Sequence, residues 1–331
     1  MNKLTLIVGG STLVYLGLAF TMGVLPGIEL SRVPAGAGVK PLSALEAQGR
    51  EVYVASGCSY CHTQQVRPLD EDKVFGRPSA ASDFKYQTPE LLGSERTGPD
   101  LTNIGERQPS SVWQYIHLYE PRAVVPESIM PSFNWLFEVV DRAPAGTSPV
   151  PLPKAYSPLH GVVVPTREAE ALIAYLAALK QPPWAGREAA AGETATAGTA
   201  SAASNANSTA PVAAAAPGGY DAAKGASLYI ANCSACHQAT GEGLPGAFPP
   251  LKGNDVVNDD DATKHIQVVL HGLQATQVDG VVYGGAMPPF AARLNDAEIA
   301  EIIDYERTSW GNHGKSASAT QVAAERAKKM K

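Results

Sequence analysis

The chain has 331 residues, of which 31 are Gly, 26 are Pro and only 18% are charged. That is about two domains' worth of material, and a net charge of −6 argues against a nucleic-acid binder, which shows a basic footprint. Four cysteines are too few to make a disulfide framework in a chain of this length.

In chain order, the first predicted element is the uncharged run from Leu4 to Ile28, 25 residues long. At about 1.5 Å per residue it is long enough to cross a hydrocarbon core as a helix. Residues 1–30 are therefore expected to be a transmembrane anchor. The competing reading, a cleaved leader, calls for an apolar stretch of about 7–15 residues. The small-x-small triplet Ala35-Gly36-Ala37 lies well past the run. Only Lys3 precedes the span, and Arg32 and Lys40 follow it, so charge alone leaves its orientation open.

Residues 31–184 are expected to form a first domain, built around Cys58-Ser59-Tyr60-Cys61-His62. Residues 185–219 carry no aromatic side chain and only one aliphatic larger than Ala, Val212. Such a composition buries too little apolar area to offset the entropy of ordering, so a flexible linker is predicted. Residues 220–314 are expected as a second domain around Cys233-Ser234-Ala235-Cys236-His237, and 315–331 as a basic disordered tail. The second domain is the acidic part, with a net charge of −7 over residues 220–314.

The two domains share four landmarks in one order. They are Gly49-x-x-x-Tyr53 and Gly225-x-x-x-Tyr229 before the cysteines, then Gly98-Pro99-Asp100-Leu101 and Phe248-Pro249-Pro250-Leu251 after them. Met130-Pro131-Ser132-Phe133 and Met287-Pro288-Pro289-Phe290 follow. Each domain then closes with a predicted amphipathic helix. Leu172, Ile173, Leu176 and Leu179 keep helical spacing in one, and Ile299, Ile302 and Ile303 in the other. Thr166 is placed to cap the first, and Asn295 with Glu298 resembles a capping box for the second. The first domain differs by an insert: 37 positions separate His62 from Pro99, against 12 between His237 and Pro249.

Cys-x-x-Cys-His reads as a c-type haem attachment site. The thiols become thioethers to the porphyrin, and the adjacent histidine is thereby placed to ligate iron. A dithiol redox motif predicts no adjacent histidine, and a zinc site wants four ligands at paired spacing. Two covalently attached haem c groups are thus expected, on Cys58 and Cys61 and on Cys233 and Cys236, with His62 and His237 as axial ligands. Of five methionines, Met1 begins the chain, Met22 lies in the span and Met330 in the tail. Met130 and Met287 remain, one per domain, as candidate sixth ligands of the type that raises haem potential.

Other residues have weaker claims. His117, His160, His265, His271 and His313 are expected on helices or at the surface rather than on iron. The carbonyls of Pro99 and Pro249 are candidates to accept the second ring N–H of the axial histidines. Arg67 is open to two readings, a propionate partner or a solvated side chain. Two six-coordinate irons leave no open position for a substrate, and no thiol remains for a dinuclear copper site. One span cannot supply an intramembrane haem–copper centre. The chain is therefore read as one that moves electrons and does no bond chemistry. Bacterial haem attachment occurs outside the cytoplasmic membrane. A single-pass protein of the bacterial inner membrane is expected, its haem domains on the periplasmic side.

The run Gly49-Arg-Glu-Val-Tyr53 to Cys58-Ser-Tyr-Cys61-His62-Thr-Gln-Gln-Val-Arg67-Pro68 resembles the mono-haem subunit II of cbb3-type cytochrome c oxidases. So do Arg96-Thr97-Gly98-Pro99-Asp100-Leu101 and Pro121-Arg122 through Met130-Pro131. Residues 220–314, ending in Thr308-Ser-Trp310-Gly-Asn312, are similar to soluble class I cytochrome c domains. The resemblance implies a mainly α protein, one transmembrane helix followed by two all-α class I cytochrome c domains. It also implies a dihaem subunit relaying electrons from a soluble or membrane-bound donor cytochrome to a haem–copper catalytic membrane subunit. Whether a further cytochrome c subunit is present stays open. Three alternatives remain: the cytochrome subunit of a nitric oxide reductase, the acceptor subunit of a periplasmic dehydrogenase, and a dihaem peroxidase.

Overall fold

Within a hydrocarbon core the backbone amides of an apolar run have no partners but each other, which selects a helix. The computed structural model, which describes residues 2–182, 220–274, 276–278 and 280–328, has this helix. It is continuous from Lys3 to Arg32, two residues beyond the expected anchor. It consists of α1 (Lys3–Ala19), one π-type turn (Phe20–Val24) and α2 (Leu25–Arg32). The π turn has a cause in Pro26, which lacks an N–H and crowds the carbonyl one turn back. Hydroxyls in the apolar stretch satisfy themselves on the helix. Ser11 Oγ donates to Ile7 O at 2.8 Å and Thr21 Oγ1 to Gly17 O at 2.9 Å. The expected linker, 185–219, lies outside the described residues.

The chain divides into two units, and the stretch expected as a first domain, 31–184, is shared between them. One unit holds Met1–Ala44, Gly57–Asn103 and the chain from Lys180. Its long insert has little regular structure beyond 3-10 turns at Asp70–Asp72 and Ala81–Phe84, and another such turn, Cys58–Tyr60, precedes it. Polar side chains organise it instead. Asp72, fully buried, accepts from Arg67 Nε at 3.1 Å, Arg67 Nη2 at 2.9 Å and Arg96 Nη2 at 2.7 Å. The two guanidinium groups hold its carboxyl far below the usual carboxylate range. Arg67 thus has a partner that neither sequence reading supplied. Asn103 Nδ2 donates to Phe75 O and to Gln181 Oε1, both at 2.8 Å, tying the insert to the chain near 181.

The second unit holds Leu45–Ser56, Ile104–Leu179 and the described residues from 220 onward. In its first part lie α3 (Ala44–Ala55), α4 (Ile104–Arg107), α5 (Ser111–Tyr119) and α6 (Arg167–Ala178). Strands β1 (Phe137–Val140) and β2 (Val162–Pro165) pair antiparallel, with Phe137 opposite Pro165 and Val140 opposite Val162. Thr166 caps α6, its Oγ1 accepting from Ala169 N at 3.3 Å. α3 approaches α6 at Gly49, where a Cβ would stand 1.8 Å from Ala171 O. One turn on, the rings of Tyr53 and Tyr175 meet edge to face, centroids 5.5 Å apart. The Gly-x-x-x-Tyr landmark is therefore a helix crossing.

The same crossing recurs after residue 220. The elements there are α7 (Ala222–Asn232), α8 (Ser234–His237), α9 (Asp255–Asn258), α10 (Thr263–His271) and α11 (Asp296–Thr308). A second two-stranded ribbon joins β3 (Thr276–Val278) to β4 (Val281–Tyr283). α7 meets α11 at Gly225, where a Cβ would lie 2.6 Å from Glu301 O, and Tyr229 packs on Tyr305 with centroids 5.2 Å apart. Both bonds of the Asn295–Glu298 capping box are present, at 2.9 and 3.0 Å.

The domains are mainly α as expected, and each part of this unit also carries one short two-stranded ribbon. One expectation needs correction. The disordered tail is in part α12 (Ala319–Arg326), started by a Ser318–Gln321 capping box. Val322 is fully buried against the cluster of Ile266, Leu270, Ile299 and Ile303, and Arg326 Nε bonds Asp296 Oδ1 at 2.6 Å. One buried valine and one well-aimed arginine outweigh a composition that reads as tail.

Candidate haem sites

Both Cys-x-x-Cys-His segments follow directly on the first helix of a crossing pair. After α3, Gly57 takes φ 72°, a left-handed turn that Gly adopts without steric cost. The chain then winds so that His62 N donates to Cys58 O at 3.0 Å. After α7, His237 N donates to Cys233 O, again at 3.0 Å. In each case one turn presents both thiols and the imidazole together.

The imidazoles share one further contact. His62 Nδ1–H donates to Pro99 O at 2.8 Å, and His237 Nδ1–H donates to Pro249 O at 2.9 Å. A carbonyl only accepts, so this bond fixes the tautomer and puts the lone pair of each ring on Nε2, the atom a metal would take. Glycine makes the approach feasible. A Cβ on Gly98 would stand 2.2 Å from His62 Cε1, and one on Gly243 would stand 2.5 Å from Pro249 O. Asp100 fastens the first site from behind, accepting from Thr63 Oγ1 at 2.6 Å and Gln65 N at 2.9 Å.

Electrostatics favour neutral groups here. Burial pushes the Cys58 thiol up to about 11 and the Cys236 thiol to about 12, and raises Cys233 as well. Burial also lowers the His237 pKa, keeping the imidazole uncharged. Among the described residues no three His, Cys, Asp or Glu side chains gather as a metal cluster. Paired thiols, a tautomer-fixed imidazole and glycines that clear space beside it fit a covalently attached haem.

The two methionines are held by different means. Met130, half-buried, offers its carbonyl to Arg122 Nη1 at 3.0 Å. Arg122 in turn pairs with Glu120 at 2.6 Å, and Ser132 bridges the two. Met287, also half-buried, exchanges backbone bonds with Leu273 at 2.8 and 3.1 Å. Met287 shares a unit with His237, whereas Met130 and His62 belong to different units. Among the other histidines, His265 is buried and its Nε2–H donates to Glu306 at 2.8 Å. Sequence spacing gave no hint of that pair, which joins positions 41 apart. His117 stacks on Trp113, centroids 4.5 Å apart, and His160 and His313 are exposed.

Known proteins resemble this chain in sequence. The family model "Cytochrome C oxidase, mono-heme subunit/FixO" matches residues 1–148, and "Cytochrome c" matches residues 222–310. Cytochrome c-552 of Thermus thermophilus is 40% identical over 113 residues, which are 33% of this chain and 85% of that protein. The chain belongs to the cytochrome c family. As a cytochrome c it binds haem covalently and transfers electrons. This cytochrome joins a part like a mono-haem oxidase subunit to a second cytochrome c domain. It is also similar to the cytochrome c subunit of the quinone alcohol dehydrogenase of Gluconobacter oxydans, 39% identical over 27% of this chain and 19% of that subunit. The cbb3-type oxidase subunit FixP of Azorhizobium caulinodans is 30% identical over 31% of this chain and 34% of its own length. The Lys3–Arg32 helix of this cytochrome is long and apolar enough to anchor it in a membrane.

Proposed function

We propose that this cytochrome is a membrane-anchored, dihaem electron-transfer subunit of a cbb3-type haem–copper oxidase. The match of residues 1–148 to a mono-haem oxidase subunit carries this reading. The first haem is assigned to residues 31–184, with thioethers from Cys58 and Cys61 and axial His62 and Met130. The second is assigned to residues 220–314, with thioethers from Cys233 and Cys236 and axial His237 and Met287. Bound haem supplies a one-electron iron couple. The protein fixes both histidine tautomers through Pro99 and Pro249, and burial keeps the His237 imidazole neutral and away from water. The N-terminus faces the cytoplasm and both haem domains face the periplasm, where a haem–copper subunit receives the electrons.

A dehydrogenase acceptor role is the second reading, favoured by the 39% identity to an alcohol dehydrogenase cytochrome subunit. Purification of the complex in mild detergent separates the two. Haem b, copper and cyanide-sensitive O2 uptake, with two haem c per chain, are expected. Haem c alone beside a dehydrogenase subunit would replace the oxidase role. The charge of −7 over residues 220–314 predicts a basic donor face, so electron entry should slow as salt screens the attraction. A rate indifferent to ionic strength would remove that partner chemistry.

A further inference from the structure

The second Cys-x-x-Cys-His segment does not stand clear of the rest of its unit. Trp113 of α5 donates its indole Nε1–H to Ala235 O at 3.2 Å, inside the segment between Cys233 and Cys236. Gln108 Nε2 lies 3.9 Å from Cys236 Sγ. Around these, Val112 Cγ2 lies 3.7 Å from where a Cβ on Gly284 would stand, and Pro151 Cβ is at the same distance from that of Gly246. Glu106 acts on Arg293 with opposite charge across the same face. Residues 106–113 thus sit against the segment that would bear the second haem.

The chemistry of the attachment makes this position informative. A thioether sulfur is bonded to the former vinyl carbon that joins the macrocycle, so a side chain touching Cys236 Sγ lies two bonds from the conjugated ring. At its other end, α5 is tied to the loop of the first candidate methionine, Phe133 N donating to Leu118 O at 2.8 Å. Trp113 is nearly buried and stacks on His117, one turn further along α5. The contact and the Met130 loop are therefore two ends of one short helix.

We propose that residues 106–113 are the internal docking surface for the second haem edge, with Trp113 as its anchor, and that electrons pass between the two haems across it. This rests on the dihaem reading above. One electron leaves the reduced second site, whose iron goes from Fe(II) to Fe(III), and reduces the oxidised first site; no proton or atom moves. Trp113 is here a positioning residue. Its indole holds the donor edge at α5, and rate depends steeply on that approach.

The test uses the full haem-loaded chain in detergent, comparing wild type with Val112→Asp and Trp113→Phe. Flash reduction follows electron exchange between the haems, and amide hydrogen exchange follows protection at 235, 246 and 284. Val112→Asp sets a carboxylate in the contact. It should slow exchange by about tenfold or more, the order expected when an interface core is disrupted, and should deprotect these amides. Both haem spectra and both potentials should hold. Trp113→Phe, which keeps a ring and loses the donor, should slow exchange less. Two haems per chain with an unchanged rate in Val112→Asp would overturn the docking route alone. One haem per chain would overturn the dihaem reading, and the route with it.

Discussion

The two Cys-x-x-Cys-His segments reach one local geometry by opposite means. Around the first, the histidine–carbonyl bond closes a 37-residue span, and charged side chains hold that span in shape. Asp72, Arg67, Arg96 and Asp100 form the scaffold, with the Arg96 guanidinium over the Phe75 ring at 5.4 Å. Around the second the span is 12 residues, and the support is aromatic. Tyr229, Tyr305 and Trp310 pack on one another with centroids 5.1 to 5.5 Å apart. A long insert has little apolar surface of its own to bury, so buried ion pairs must define it. A short one rests directly on the helix crossing. The first scaffold should therefore answer to pH, and the second to packing.

The largest effect is expected at the crossings themselves. Gly49→Ala forces a Cβ into a backbone carbonyl 1.8 Å away, while Gly225→Ala meets one at 2.6 Å. Overpacking against backbone costs about 3 kcal/mol or more, so both variants should lose haem-domain stability, the first more severely. Thermal unfolding followed by haem absorbance checks the order, and equal losses would mean that the closer approach at Gly49 carries no added cost.

Next comes Asp72→Asn, which leaves two guanidinium groups facing a neutral amide. A broken buried pair costs about 2–4 kcal/mol, at the low end because Arg67 is half-exposed. The pH dependence follows from the depressed carboxyl of Asp72. Its stabilisation is complete above the ordinary value of 3.8, where the unfolded group is also ionised, and fades as pH falls below that value. Acid titration with amide exchange as the readout should show residues 63–100 opening before residues 222–310. Asp72→Asn should flatten the acid response of the first region.

The smallest effect is expected from Tyr229→Phe. It keeps the aromatic packing but removes the 2.6 Å bond from the Tyr229 hydroxyl to Gln238 O, a residue held at φ 63°. A loss of about 1 kcal/mol is expected, read by denaturant unfolding of the second domain. A loss as large as that of Gly225→Ala would show that the hydroxyl, and not the rings, carries the second scaffold.

How much of this was legible in the sequence depends on the reach of each interaction. The anchor helix, the paired cysteines, the capping residues Thr166 and Asn295, and the prolines opposite both histidines all announce themselves locally. The Gly-x-x-x-Tyr repeats were visible as landmarks, but their meaning needed Tyr175 and Tyr305, over 70 positions away. The Asp72–Arg96 bond, the His265–Glu306 pair and the Trp113–Ala235 bond join residues 24, 41 and 122 positions apart, with no periodic relation to announce them. The ribbons escaped because strands of three or four residues are too short to show alternation. α12 is hidden in a small, basic composition, because a single buried side chain, Val322, fixes its place.

The end of the chain bears on how the protein is handled. Arg326 reaches Leu294 O at 2.9 Å and also bonds Ala291 O, so α12 buckles the loop that follows Met287-Pro288-Pro289-Phe290. A cut after residue 314, or a bulky fusion that pries this helix loose, would free the stretch leading away from Met287. The buried faces of Ile266, Leu270, Ile299 and Ile303 would then lose the Val322 side chain that covers them, and a truncated chain should aggregate more readily.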